Sequence, residues 1–314
     1  MAHEPYRIIF MGTPEFAVPS LQSLLSGPDE VVAVVTQPDR PKGRGRKVAA
    51  PPVKELALAK GLPVLQPTAI KTAAWREELA AYRPDLFIVA AYGRILPKSL
   101  LELPPHGTIN VHGSILPSYR GAAPIQWAIL NGDTFTGVTI MQMDEGMDTG
   151  DILLTAETRI TPEDTAGSLA GRLAEIGGAT LLEALAKLHE GRLVRQVQAH
   201  HLATSSPPLT KEQGLIDWRR PAFALSCQIR GLDPWPTAYT FIEGTRLRLF
   251  KPSVVDRAAT EKPGTICRAD KDGLLIATGE KYLLTEELQA EGAKRMTTGA
   301  YLQGRSIKPG TVLG

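Results

Sequence analysis

Hydrophobic positions in the first two hundred residues fall into short continuous runs, as in Glu30–Thr36 (EVVAVVT) and Asp85–Tyr92 (DLFIVAAY). A strand that is apolar at every position must be covered on both faces, as in a parallel α/β sheet. Tyr6–Phe10, Pro63–Leu65, Gly107–His112, Thr136–Met143 and Asp151–Thr158 read as further strands. Between them Val53–Lys60, Thr72–Tyr82, Ala122–Leu130 and Thr165–His189 read as helices. Gly12 supplies a tight turn, and Thr13-Pro14 an N-cap with proline at the first position of a helix running toward Leu25. Strands alternating with helices predict an α/β fold with a doubly wound, Rossmann-like parallel sheet.

The texture changes after residue 199. Residues 200–208 are polar and contain Pro207-Pro208, the composition of a linker. Beyond them short strand-like runs recur at Ala238–Ile242, Leu247–Phe250, Gly264–Cys267 and Leu274–Ala277, separated by glycines and charged turns. That spacing predicts a smaller C-terminal β-barrel. The expected division is therefore 1–199, a linker over 200–212, and 213–314. The length, 314 residues, fits two domains.

Charge adds a second layer. The net charge is only +2, but from Ser205 onward 16 Lys and Arg face 12 Asp and Glu. The rest of the chain leans acidic, with one exception: Arg40, Lys42, Arg44, Arg46 and Lys47 place five positive charges within eight residues. Two local basic features on a near-neutral chain point to a polyanion partner contacted at particular places. No apolar run approaches the length of a membrane span, so no membrane association is expected. The N-terminus lacks the basic start and small-residue cleavage site of a secretory signal. Cys227 and Cys267 form no metal-like pattern and fit a reducing compartment, which predicts a cytoplasmic location.

Candidate chemistry lies in two segments. In Gly107-Thr-Ile-Asn-Val-His-Gly-Ser-Ile-Leu-Pro117, strand alternation points Asn110 and His112 to one face and Ile109 and Val111 to the other. They fall at the carboxyl end of a strand, where open α/β sheets bind ligands. The plain alternative is a satisfied buried polar pair. In Met143-Asp-Glu-Gly-Met-Asp-Thr-Gly-Asp151, Asp144 and Asp148 could both turn toward His112; the alternative is an acidic surface turn. The loop does not have the spacing of a calcium-binding EF-hand, and no metal is expected. Neither a dinucleotide fingerprint nor a Walker A pattern occurs. An amide donor, an imidazole and a carboxylate suit acyl transfer to an amine. Asn110 would donate to the carbonyl oxygen. His112 would donate there or accept the amine's proton, and Asp148 would hold the imidazole. No activated nucleophile stands nearby, which favours direct transfer.

These segments, Asn110 to Gln126 and Met143 to Asp151, resemble the folate-dependent formyltransferase family. The resemblance implies Asn110, His112 and Asp148 as the catalytic trio and 10-formyltetrahydrofolate as formyl donor. It implies a folate site from Ser114, Ile115, Leu116 and Pro117, from the strand end with Tyr92, Arg94 and Leu96, and from Asp144. Thr36 to Arg46, Ile216-Asp-Trp218 and Leu232-Asp-Pro-Trp-Pro236 are similar to the branch that acts on charged initiator tRNA. That likeness implies methionyl-initiator tRNA as partner, a monomer, an OB-like C-terminal barrel on the tRNA backbone, and contacts from Arg40, Lys42, Arg44, Arg46, Lys47 and Lys211. Leu215 and Pro207-Pro208 stand where that branch commonly has basic residues, which leaves Lys211 to carry the linker contacts. A glycinamide ribonucleotide enzyme would need neither the basic loop nor the C-terminal hundred residues. A sugar-nucleotide enzyme would leave the loop unexplained. A non-catalytic RNA-binding module would have no use for the trio.

Overall fold

The computed structural model describes residues 4–42 and 47–314. The chain divides into two units. The first comprises Met1–Pro124, Thr136–Thr158 and Ala170–Ser206; the second comprises Ile125–Phe135, Arg159–Leu169 and Pro207–Gly314. The elements begin with β1 (Arg7–Gly12), α1 (Val18–Ser26), β2 (Glu30–Val35), β3 (Arg40–Lys42), β4 (Lys47–Ala49), α2 (Pro52–Ala59), β5 (Val64–Leu65), α3 (Ala73–Ala81) and β6 (Leu86–Ala90). They continue with α4 (Lys98–Leu101), β7 (Thr108–His112), β8 (Arg120–Gly121), α5 (Pro124–Leu130), β9 (Phe135–Gln142), β10 (Ile152–Arg159) and α6 (Ala166–His189).

Seven strands form one sheet in the order β10-β9-β7-β6-β1-β2-β5. The pairs β2–β5, β1–β2, β1–β6 and β6–β7 are parallel, as the continuous apolar runs require. The expectation of a wholly parallel sheet fails at one side, where β9 runs antiparallel to β7. The edge strand β10 alternates in burial instead of running continuously, as a strand covered on one face does. One face of the sheet packs Ile9, Met11, Phe87 and Val89 against Trp75 and Leu79 of α3 and Leu100 and Leu101 of α4. On the other, α6 approaches so closely that a Cβ at Gly177 would stand 2.9 Å from Val111.

Two local expectations, the Thr13 cap and the linker, are corrected. Thr13 caps no helix; a short 3-10 turn, Glu15–Ala17, precedes α1, and the Thr13 hydroxyl donates to the carbonyl of Tyr92 at 3.2 Å. The basic stretch opens as an antiparallel hairpin of β3 and β4, with Arg40 opposite Ala49 and Pro41 opposite Val48. Arg44 and Arg46 lie outside the described residues. The linker expected over 200–212 is built into the first unit as far as Ser206, because β11 (Ser205–Ser206) pairs in parallel with β8.

The second unit holds α7 (Ala222–Gly231), β12 (Tyr239–Ile242), β13 (Thr245–Ala258), β14 (Ile266–Asp270), β15 (Gly273–Ala277), β16 (Lys281–Ala290), β17 (Met296–Thr297) and α8 (Thr298–Gly304). Its antiparallel sheet runs β12-β13-β16-β15-β14, with β17 added on β16. Trp218, Leu225, Ile229, Leu249, Ile276 and Leu283 are among its buried core. Among the described residues no ladder joins β12 to β14, so what is present is a separate strand-rich sheet and not a closed barrel.

Candidate active site at the carboxyl edge of the sheet

The chain leaves β1 through β2 to β5 on one side and re-enters as β6 on the other. Strand order therefore reverses between β1 and β6, and the crevice beyond their carboxyl ends is where open α/β sheets bind ligands. The hydrogen bond from Thr13 to the Tyr92 carbonyl joins the turns after these two strands, and Gln37 Nε2 donates to the same carbonyl at 2.9 Å. In the turn after β6, Ala91 and Gly93 have φ of 45° and 78°. Tyr92 and Leu96 are buried, while Arg94 Nη1 donates to the carbonyl of Thr68 at 2.9 Å. The Tyr92 hydroxyl is buried without a partner, and burial pushes the phenol's pKa up.

Register fixes the rest. Val35, Met11, Val89, Asn110 and Met141 form one row across β2, β1, β6, β7 and β9. Asn110 thus faces away from Val111 and α6, and His112, opposite Thr139, follows on the same face. Both are nearly enclosed, at 8% and 5% exposure. Past β7 the chain is pinned to β9: Thr139 Oγ1 donates to the Ser114 carbonyl at 2.7 Å and accepts from Leu116 N at 3.0 Å. Ser114 Oγ donates to the Ser118 carbonyl at 2.6 Å, and Leu116 is buried ahead of a cis bond to Pro117.

His112 Nε2 lies 3.0 Å from the carbonyl oxygen of Tyr119. A carbonyl only accepts, so Nε2 carries a proton. The other ring nitrogen, Nδ1, faces Asp148 Oδ2 at 3.7 Å, a separation longer than a hydrogen bond. Asp148 Oδ2 accepts from the backbone N–H of Gly121 at 2.8 Å, and Asp148 itself holds φ of 54°. Of the two aspartates expected to turn toward His112, only this one does. Asp144 is exposed and accepts from Gly146 N and Thr149 Oγ1 at 3.0 and 2.6 Å within its own loop. It lines a cavity of about 490 Å3 with Leu101, His106 and Gly107, at the start of β7 and not its end.

The trio and Ser114–Pro117 are thus gathered at one strand end, next to the turn carrying Tyr92 and Leu96. Arg40 Nη2 donates to Gln37 Oε1 at 2.7 Å; Lys42 and Lys47 are backbone register partners in the β3–β4 pair. Lys211 is exposed in the second unit. Sequence reasoning missed a group at and just before the supposed linker. Thr204 Oγ1 accepts from Tyr119 N at 2.9 Å, Ser206 Oγ donates to the Tyr119 carbonyl at 3.0 Å, and Gln198 Nε2 donates to the Asp148 carbonyl at 2.9 Å. A polar segment with paired prolines carries no local sign of such contacts. Among the described residues no cluster of three or more His, Cys, Asp or Glu side chains could hold a metal ion, and no helix is long and apolar enough to cross a membrane.

Comparison with known proteins gives this geometry its class. The sequence family described as formyl transferase matches residues 6–185, and the family described as formyl transferase, C-terminal domain, matches residues 208–306. A sugar 3N-formyl transferase, WlaRD, solved in the presence of dTDP and 5-N-formyl-THF, superposes with a TM-score of 0.67 at 18% identity. It covers 93% of this chain and 100% of its own, and at that identity it speaks for the fold alone. The chain belongs to the formyl transferase family, with a mixed α/β, Rossmann-like fold and a separate strand-rich C-terminal sheet.

Its relatives narrow the class. The methionyl-tRNA formyltransferase of Desulfotalea psychrophila is 59% identical over 307 residues, 98% of this chain and 95% of that one. That of Geobacter sulfurreducens is 49% identical over 308 residues, 98% and 96% of the two chains. The chain belongs to the methionyl-tRNA formyltransferase family.

Proposed function

We propose that Asn110, His112 and Asp148 carry formyl transfer from 10-formyltetrahydrofolate to the amino group of methionyl-initiator tRNA. The observation that carries this reading is the state of His112: Nε2 is held by the Tyr119 carbonyl, while Nδ1 faces Asp148 across a gap. Asn110 donates an amide N–H to the formyl oxygen as that oxygen gains negative charge. His112 accepts at Nδ1 the proton that the attacking amine releases, Asp148 stabilises the resulting imidazolium, and the proton returns to the leaving N10 as the bond from it to the formyl carbon breaks. The folate supplies the activated formyl group. Tyr92, Arg94, Leu96, Ser114, Ile115, Leu116 and Pro117 form its site, with Asp144, at the start of β7, apart from them; the buried, unpartnered Tyr92 hydroxyl and the buried Leu96 suit a flat heteroaromatic ring with a polar edge.

Residues 1–199 act as the catalytic domain, and residues 213–314 as an OB-like domain that follows the tRNA backbone. Support for the latter comes from the basic excess and from Arg246, whose guanidinium lies 4.5 Å over the Tyr239 ring. Arg246, Arg305 and Lys308 also line a cavity of about 450 Å3. Arg40, Lys42, Arg44, Arg46 and Lys47 engage the acceptor end, and Lys211 the backbone nearby. The enzyme works as a cytoplasmic monomer. The test is formyl transfer to charged initiator tRNA with free methionine and glycinamide ribonucleotide as competing acceptors. Preferential formylation of either small amine would overturn the assignment of the acceptor.

A further inference from the structure

We propose that Gln198 is the positioning residue that holds Asp148 in working geometry. It lies in the interval between residues 185 and 208 that neither family match covers. It is 3% exposed, and both ends of its amide are used. Nε2 donates to the carbonyl of Asp148 at 2.9 Å and to that of Gly150 at 2.7 Å. Oε1 accepts from Arg120 Nε at 3.1 Å and Nη2 at 2.7 Å. Arg120 Nη2 also contacts His200 Nδ1 at 2.9 Å.

These bonds close a ring around the carboxylate. Gly121, the neighbour of Arg120, donates its N–H to Asp148 Oδ2, while the Arg120 side chain grips Gln198, which grips the Asp148 backbone. Asp148 needs that grip. Its φ of 54° is a conformation that a side-chain-bearing residue adopts at a cost and keeps only when its surroundings impose it. At Gly150 the loop passes so near β9 that a Cβ would stand 1.9 Å from the Gln142 carbonyl oxygen, so the loop has no slack there. Only an amide meets the demand at position 198. It presents two N–H groups to two carbonyls and an acceptor to a guanidinium. A glutamate would satisfy Arg120 but turn negative charge on both carbonyls; a methionine would fill the space and bond to neither.

The inference rests on the reading of Asp148 as part of the reacting trio, so the experiment separates the two. Single-turnover rates, KM for charged tRNA and folate, and Tm are measured on the full chain for Gln198→Met, Gln198→Glu, Asp148→Asn and the double variant Gln198→Met/Asp148→Asn. Each Gln198 variant should slow transfer by about 10²-fold, the size expected when a reacting group is misplaced by about 1 Å. Both KM values should stay at wild type. The double variant should be no slower than Asp148→Asn, because one residue acts through the other. A wild-type rate for Gln198→Glu, or losses that multiply in the double variant, would overturn the positioning role while leaving the trio standing. A wild-type rate for Asp148→Asn would overturn the trio and this inference with it.

Discussion

Two histidine–aspartate pairs lie in the first unit and are built in opposite ways. At the amino edge of the sheet, His189 Nε2 meets Asp29 Oδ1 at 2.8 Å. The same oxygen accepts from Tyr6 N at 2.9 Å, the Tyr6 ring stacks on His189 at 4.1 Å, and the Asp29 side chain is only 2% exposed. That pair is closed, and it straps the last turn of α6 to the approaches to β1 and β2. At the carboxyl edge, His112 and Asp148 stand 3.7 Å apart, each fixed by backbone: the Tyr119 carbonyl for one, the Gly121 N–H for the other. The same two residue types make a staple where the imidazole and Asp29 Oδ1 meet within hydrogen-bond distance. At the strand end that also carries Asn110 they leave a gap, where the proposed mechanism puts the reacting amine.

The largest effect should come from emptying the open pair. His112→Ala should lower single-turnover formylation by about 10²- to 10⁴-fold, the range for general acid–base help, with Tm and tRNA affinity little changed. A residual rate above about a tenth of wild type would remove His112 from the chemistry. The closed pair should behave in reverse. His189→Ala takes a hydrogen-bond partner from a buried carboxylate, so unfolding free energy should fall by about 2–3 kcal/mol while the rate per folded molecule holds. A large loss of rate without loss of stability would break the contrast.

Tyr92 sharpens it further, being buried with a polar atom that closes on nothing. Tyr92→Phe should stabilise the free enzyme by about 1 kcal/mol, since an unsatisfied hydroxyl is removed. Burial raises the Tyr92 pKa above the ordinary value of 10.0. The folded state therefore keeps the proton after the unfolded chain releases it. This stability is intact below about pH 10 and lost as pH rises toward the folded value, a loss that Tyr92→Phe should lessen in alkaline melts. The smallest effect belongs to Asp217, whose hydrogen bonds from Arg219 lower its pKa to about 2 although the pair is exposed. Its contribution is present above the unfolded value of 3.8 and lost as pH falls toward 2. Asp217→Asn should leave Tm at pH 7 almost unmoved and alter only the acid limb of the melt, because solvent screens the pair.

Much of the sheet was legible because burial on both faces writes itself as unbroken apolar runs: β2, β6 and β7 lie within about two residues of where the sequence puts them. Asn110 and His112 were placed on one face by alternation alone, and the register agrees. Other elements escaped. β16 mixes Thr285, Glu286, Glu287 and Gln289 into its length, because only part of its surface meets the core. α7 and α8 are short, and β3 and β4 pair within a stretch dominated by charge, proline and glycine.

The sequence by itself determined the α/β plan, the two-part organisation and the chemical types at the site, since local patterns of burial and residue identity are written one position at a time. Only the tertiary structure decided which carboxylate of the acidic loop serves His112. Asp144 and Asp148 are alike as residues, and backbone register from β9 sends one to the start of β7 and the other to its end. It also decided that Gln198, just before the stretch that reads as polar linker, and Thr204 and Ser206 within it bond to the Asp148 and Tyr119 backbone. Those contacts join residues about 50 to 90 positions apart, and no periodicity along the chain records a hydrogen bond made across such a distance.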